Sequence, residues 1–425
     1  MKAYLLNPPF VEGYSRDACW QSSGRAGTFR YPIWLAYATA QLSSFADVKL
    51  VDAVARKLTL PNIMLDIDFY EPDYVVVNTN WASLKDDKEV AQKLRERFPK
   101  IDVIEFGIPS NLNDYQLHDK LVGNPTLKPD EIPFVSKIYK QFLHVEDYNS
   151  SECLHPFIQI WAHGVTCPFH CSFCNRPHRT SEFTSPERAV DEVEWIHQNL
   201  PQVREIHYED DTFTLDKMWV WNFCQEIGKR QLEFVWSCQV RADVPLDLLK
   251  AMKKAGCRLV ICGFESGNNE VLKLMKKGTT VEQCIMFAEN VRKAGIMLQM
   301  DVVFGLQGET KDTIEDSRRL IKQIAPDVLQ CTIATPYPNT EFYDYIKEND
   351  YFVEDAEYLN GRGLQMPVIS YPWLSDVEIA QVVSETLREY YGSLRFYGRV
   401  LRQVFSRYGW QEFKRLYRAW RQLRI

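Results

Sequence analysis

No stretch of this chain approaches the roughly 18 to 20 consecutive apolar residues that a membrane-crossing helix needs, and no basic n-region with a following apolar run marks a secretory leader. Its eleven cysteines fall into no paired spacing, which speaks against a disulfide-built secreted fold. Together these absences read as a reduced, cytoplasmic protein. Internal repeats and low-complexity tracts are missing too. So is an excess of basic charge: 50 Lys and Arg stand against 57 Asp and Glu, for a net charge of −7. Nucleic-acid binding by the whole chain is therefore not expected. The balance is uneven, because Arg388 to Ile425 holds ten Lys or Arg against two Glu, a local +8 that leaves −15 for the remainder.

What is present is alternation. Up to about residue 150, Ala3 to Leu6, Val48 to Val51, Tyr74 to Asn78 and Val103 to Phe106 read as strands. Helical patterns at Ile33 to Leu42, Leu60 to Asp66 and Lys85 to Phe98 separate them, which predicts a parallel, doubly wound sheet. Ligands of such sheets bind at the strand carboxyl ends, here Asn7-Pro8-Pro9, Asn78-Thr79-Asn80-Trp81 and Gly107-Ile108-Pro109-Ser110. Residues Asn124 to Ser151 read as a linker. Beyond it, strands at Ile158 to Ala162, Glu205 to Tyr208, Val235 to Val240, Leu259 to Gly263, Gln299 to Phe304 and Leu329 to Ala334 alternate with five helical patterns. Six such units predict a partial barrel. The 425 residues thus divide into 1–150, 151–345 and a helical end at 346–425.

The sharpest motif directly follows the first barrel strand: Thr166-Cys167-Pro168-Phe169-His170-Cys171-Ser172-Phe173-Cys174, a C-x3-C-x2-C triplet. Three thiolates on one loop suit an iron-sulfur cluster, and the missing fourth cysteine leaves one iron open to another ligand. The competing reading is a zinc knuckle closed by His170 or His178. A disulfide would leave an odd thiol. The remaining cysteines, Cys224, Cys238, Cys257, Cys262, Cys284 and Cys331 among them, lie in strand or helix patterns and read as buried core thiols.

The triplet, its place after a first strand and the aromatic before its last cysteine resemble the radical S-adenosylmethionine (SAM) superfamily. That resemblance implies a [4Fe-4S] cluster on Cys167, Cys171 and Cys174 whose open iron takes SAM. It gives three further strand-end elements expected roles. Glu209, Asp210 and Asp211 would hold the SAM amino group; Glu265 or Ser266 in Gly263-Phe264-Glu265-Ser266-Gly267 would meet the ribose; Gly305 and Gly308 in Gly305-Leu306-Gln307-Gly308-Glu309-Thr310 would border the adenine. Arg241 would pair with the SAM carboxylate. Each has a plainer reading: loop solvation or helix capping for the acids, a turn before a helix for the glycines, a surface ion pair for Arg241.

The first sheet, opening Leu5-Leu6-Asn7-Pro8-Pro9, resembles the subgroup with a cobalamin-binding domain, including hopanoid-biosynthesis-associated and aminoglycoside dehydratase-type enzymes. The implied fold is α/β: a Rossmann-like, cobalamin-binding-like domain, a partial (β/α)6 radical SAM barrel and a C-terminal helical extension. Cobalamin would sit near Asn78, Thr79, Ser83, Gly107 and Ser110. No D-x-H-x-x-G occurs and the first histidine is His118, so no early histidine can ligate cobalt; the other outcome is a domain that only shapes the substrate pocket. The expected reaction is hydrogen abstraction from a small polar substrate, a sugar, polyol or glycolipid, for rearrangement, dehydration or redox change. The electron would come from a carrier such as flavodoxin or ferredoxin. The alternative is a cobalamin-dependent radical SAM methyltransferase. At the other end, Leu394, Tyr397, Leu401, Phe405, Phe413, Leu416, Tyr417, Trp420 and Leu423 fall at helical spacing among arginines. A packing helix with a solvated arginine face is the favoured expectation, and contact with an acidic membrane surface the other.

Overall fold

The computed structural model describes residues 1–17, 28–107, 121, 127–163, 167–175, 183–361, 363–405 and 409–422. Four strands, β1 (Lys2–Asn7), β2 (Asp47–Asp52), β3 (Tyr74–Thr79) and β4 (Asp102–Gly107), form a parallel sheet in the order β2-β1-β3-β4. Valine, leucine and isoleucine are buried on both of its faces, as a sheet covered by crossover helices requires. The order reverses between β1 and β3, which makes their carboxyl ends the topological switch point.

The second sheet runs β10-β9-β8-β7-β6-β5, all parallel, from β5 (Phe157–Ile160), β6 (Glu205–Tyr208), β7 (Trp236–Val240), β8 (Cys257–Glu265), β9 (Met297–Phe304) and β10 (Val328–Ile333). Each strand pairs with its sequence neighbour and β5 does not meet β10, so the sheet is a half-barrel, open along one side. Several helices begin at a side-chain cap, as at Asp216, Thr280 and Thr310, whose oxygens accept from free N–H groups of the first turn.

From residue 127 onward the segment expected to be a linker is structured. Its helix Val135–Phe142 buries Val135, Ile138 and Tyr139, a spacing of three and four. Pro129 and Pro133 just before it and a length of two turns hide it in the sequence. This helix is part of a tyrosine clamp between the two sheets. Tyr31 stacks on Tyr148 at 3.9 Å between ring centroids. The Tyr31 hydroxyl donates to Phe157 O (2.8 Å), that of Tyr139 to Gln159 O (2.9 Å) and that of Tyr148 to Asp52 (2.9 Å). Tyr37 of the helix Ile33–Leu42 stacks on Trp161, whose N–H donates to the Tyr37 hydroxyl at 2.8 Å. At the carboxyl end of β3, Asn78 donates to Asp17 (3.2 Å), Asp17 accepts from Trp34 N–H (3.0 Å), and the Trp34 ring meets that of Trp161 at 4.9 Å, just past β5. The carboxyl ends of β3 and β5 therefore lie on the same side.

The last helix, Gly409–Gln422, covers the opposite, amino-terminal end of the half-barrel with ions at the contact. Arg258 donates to Glu205 (2.9 Å) and to Glu412 (2.8 Å), and Arg415 donates to Glu412 (2.8 Å) and to the carbonyl of Ser151. All four side chains are buried. The expectation of a packing helix with a solvated arginine face is thus corrected at Arg415, which points inward. Removing one partner of such a network strands a charge, at about 3–5 kcal/mol. Glu205→Ala should lower the urea-unfolding free energy by that amount; a change under ~1 kcal/mol would show that the network carries little of the stability.

Candidate functional site

Asp210 fixes where the cysteine loop begins. Its two carboxylate oxygens accept from the backbone N–H of Ala162 (2.8 Å) and of His163 (2.9 Å), just past β5. Its carboxylate is therefore engaged with the chain's own backbone rather than turned to a ligand. The loop from Cys167 to Asn175 is tied down by Ser172, which donates its N–H to Met275 O (2.9 Å) and accepts from Phe342 N–H (2.9 Å). Cys174 N–H closes a turn on Cys171 O at 3.0 Å. The three cysteines are half-buried, whereas the other described cysteines are buried, in keeping with core thiols. His170 is exposed and His178 lies outside the described residues. Among the described residues no three His, Cys, Asp or Glu side chains converge on a single-ion site.

Above the loop, the Arg241 guanidinium stacks on Phe169 at 3.6 Å from its ring centroid and donates to Lys277 O. Arg241 thus braces the loop. Lys277 extends its ammonium to Glu265 (2.6 Å). Burial disfavours the Lys277 charge, but Glu265 and Cys171 outweigh it and hold its pKa above the ordinary value. Gly263 makes room for this pair: a Cβ there would lie 2.1 Å from Glu265 Oε1 and 3.0 Å from Lys277 Nζ. Glu265 itself has φ +63°, and its buried Oε2 has no hydrogen-bond partner among the described residues. Ser266 is occupied by its own loop, accepting from Asn268 N–H (3.2 Å) and facing the Ser317 hydroxyl (3.4 Å).

At the end of β9, Glu309 folds back to accept from Gly305 N–H at 2.5 Å. Burial pushes its pKa up to about 8, so the Gly305–Gly308 turn is held by a neutral acid. A Cβ on Gly305 would meet the Ile379 methyls at 3.1 and 3.2 Å.

Inside the half-barrel lies a charge cluster that the motifs do not reveal. His207 donates to or accepts from Ser237 (2.9 Å) through Nδ1 and Glu209 (3.0 Å) through Nε2. Arg30, from the first sheet's side, donates to the same Glu209 oxygen at 2.8 Å and lies 3.6 Å from Glu152. Burial opposes a charge on His207, yet Cys153 and Glu209 raise its pKa to about 10. Asp301 on β9 accepts from Gln299 (2.9 Å), and burial pushes its pKa up to about 8 despite that bond. Only part of the cluster shows in the sequence: Glu205 and His207 of β6, with Glu209 just past its end, and Gln299 and Asp301 of β9 are polar residues at every second position, which places them on the inner face. Asp211, adjacent, is half-buried.

In the first sheet, the strand ends satisfy one another. Ser83 donates to Asp87 (2.6 Å), Thr79 donates to Phe106 O (2.9 Å), and Asn78 donates to Asp17 (3.2 Å). The buried Arg16 guanidinium fills the switch point, donating to Asp87 (2.8 Å), Asn7 (3.1 Å) and Pro8 O (2.8 Å). Two features at β3 and β4 suit the approach of a ligand. Asn78 Oδ1 is buried without a hydrogen-bond partner among the described residues, and Gly107 has φ +98°, where a Cβ would lie 2.9 Å from Thr79 O and 3.0 Å from Asn78 Oδ1. Ser110 lies outside the described residues.

A half-barrel of six parallel strands with a three-cysteine loop at its carboxyl end defines a class, and the comparisons give it a name. Residues 161–321 match the family model of the Radical SAM superfamily. The protein is a radical SAM enzyme, a class that works with a [4Fe-4S] cluster and SAM. It is 27% identical over 402 residues to an uncharacterized methyltransferase of Pyrococcus horikoshii, covering 82% of this chain and 84% of the relative. In fold it is similar to the cobalamin-dependent SAM radical enzyme OxsB, with a TM-score of 0.64, 15% identity and coverage of 99% of this chain and 72% of the other. It is also similar to the radical SAM methyltransferase TsrM of Kitasatospora setae (TM-score 0.61, 16% identity, 82% and 76% covered). The likeness to OxsB takes in both sheets and the helical end.

His207, Asp301 and Glu309 are all protonated over a wider pH range folded than unfolded. Each therefore contributes stability that is full below its unfolded pKa, near 6.5 for His207 and near 4 for the acids, and lost as pH rises through about 10 or about 8. The thermal midpoint should fall between pH 6 and pH 9, and Glu309→Gln should flatten part of that fall; a midpoint that rises with pH would contradict these environments.

Proposed function

We propose that the protein is a cobalamin-dependent radical SAM methyltransferase. The observation that carries the reading is that Trp161 and Tyr37 dock the first sheet with its carboxyl ends on the same side as the cysteine loop. A corrinoid at β3 and β4 would then face the SAM site. The similarity to a methyltransferase over most of the chain favours methyl transfer over the rearrangement, dehydration or redox change expected from the sequence, and nothing in the relatives supports a sugar or polyol as substrate.

The residues fit these groups. Cys167, Cys171 and Cys174 would hold the cluster, Glu265 Oε2 would accept from a ribose hydroxyl of SAM, and the Gly305–Gly308 turn would border its adenine. Glu209, Asp210 and Arg241 act by positioning: Glu209 joins Arg30 to His207, Asp210 sets the loop's start, and Arg241 braces Phe169. Gly107 and Asn78 would receive the corrinoid without an imidazole ligand, since no histidine precedes His118. When bound, cluster, SAM and corrinoid supply an electron, a radical-generating sulfonium and a transferable methyl group. The chain's part is to orient the acceptor and exclude water. Gln299 Oε1 and Glu265 Oε2, both buried acceptors without a partner among the described residues, call for N–H or O–H donors on what binds there. A small reduced carrier, flavodoxin or ferredoxin, is the proposed electron source.

The test is isotopic. Protein purified anaerobically from cells supplied with cobalamin should hold close to one corrinoid per chain and move a labelled methyl group from SAM to product. Replacing Cys167, Cys171 and Cys174 by Ala should abolish iron binding and SAM cleavage while sparing the corrinoid. Substrate turnover without corrinoid and without label in the product would overturn the methyltransferase reading.

A further inference from the structure

The C-terminal hairpin comprises helices Leu394–Val404 and Gly409–Gln422. The second turns ions inward, Glu412 and Arg415 being buried against Arg258, and the first packs Phe396 on Tyr390 and Tyr391. The outward face of the hairpin is apolar. Leu394 is 89% exposed, Leu401 60%, Phe405 86% and Trp410 68%. Tyr397, Phe413 and Tyr417 are exposed as well. The first helix carries its stripe at positions 394, 397, 401 and 405 and the second at 410, 413 and 417, the three-and-four spacing of one helical face. Trp410, Phe413 and Tyr417 stack in a row along it, with centroids 5.6 and 6.3 Å apart. Leaving such an aromatic surface in water is costly, so something covers it.

Charge selects the cover. Between Arg388 and Ile425 ten Lys or Arg stand against two Glu. Both acids are already paired, Glu412 with Arg258 and Arg415, and Glu389 with Arg318 and Lys322. The Lys414 ammonium lies over the exposed Trp410 ring at 5.4 Å. Exposed aromatics and leucines in a segment this rich in cations, with Lys414 beside Trp410, match the boundary between acyl chains and anionic headgroups. No described helix is long and apolar enough to cross a membrane, so the contact is interfacial.

We propose that this hairpin docks the enzyme flat on the surface of an anionic phospholipid bilayer. Because the hairpin closes the amino-terminal end of the half-barrel, opposite the cysteine loop, docking leaves the active-site end facing away from the lipid. The substrate then reaches the site from the aqueous side.

The full chain should sediment with vesicles of phosphatidylcholine containing about one third phosphatidylglycerol, should bind pure phosphatidylcholine vesicles at least about tenfold more weakly, and should be released by salt. The combined variant Leu401→Ser, Phe405→Ser, Trp410→Ser changes only exposed side chains; it should lose at least about tenfold in vesicle binding while keeping wild-type iron content and thermal midpoint. Absence of sedimentation with anionic vesicles would overturn the proposal. So would equal binding to neutral vesicles, or a wild-type dimer in solution that the variant dissociates, since a second copy would then be the cover.

Discussion

The active end of the half-barrel depends on a charge delivered from outside it. Arg30 precedes the helix Ile33–Leu42 of the first sheet, yet its guanidinium binds Glu209 at the end of β6 and approaches Glu152. With His207 protonated, two cations face two carboxylates in a space almost free of solvent. For Asp301, the third acid, burial outweighs the pull of Arg30 and keeps the carboxyl neutral until about pH 8. Buried charges are tolerated only when paired and hydrogen-bonded, so this balance locks the two sheets in one relative placement. The tyrosine clamp around Tyr31, Tyr139 and Tyr148 supplies the packing, and Arg30 supplies the register.

Much of the fold was legible because parallel strands buried on both faces read as unbroken Val and Ile runs, and the helices between them carry clear apolar periodicity. Every expected strand lies within a few residues of an observed one. The helix Val135–Phe142 was not legible, being short and preceded by two prolines. At the site, the cysteine triplet and the glycine-bearing strand ends were readable because they are contiguous. The inner charge cluster was not, since Arg30, Glu152, His207 and Asp301 come from four separate segments that only the closed barrel brings together. Asp210 shows the other limit of reading by motif. An acidic residue beside a loop looks like a ligand for a cation, but two backbone N–H groups at the end of β5 claim it first.

The same economy of buried charge governs the far end. Arg258 already pairs with Glu205, but an ordinary apolar helix face over this end would leave its Nη1 unanswered. Glu412 accepts from it and is in turn held by Arg415, and the aromatic face of their helix is thereby turned outward. One constraint, the need to satisfy ions inside the barrel, thus sets both the orientation of the first sheet at one end and the exposed surface at the other.

The central claim is that the two carboxyl ends share one enclosed space. Electron paramagnetic resonance on the reduced enzyme, with cob(II)alamin and a [4Fe-4S]+ cluster both bound, tests it most directly. The arrangement predicts that the two unpaired spins interact, so that the cobalt signal is broadened or split when the cluster is reduced and recovers its isolated form when the cluster is oxidised. Two superimposed, independent spectra at full occupancy of both groups would show that the first sheet does not hold its cofactor over the SAM site.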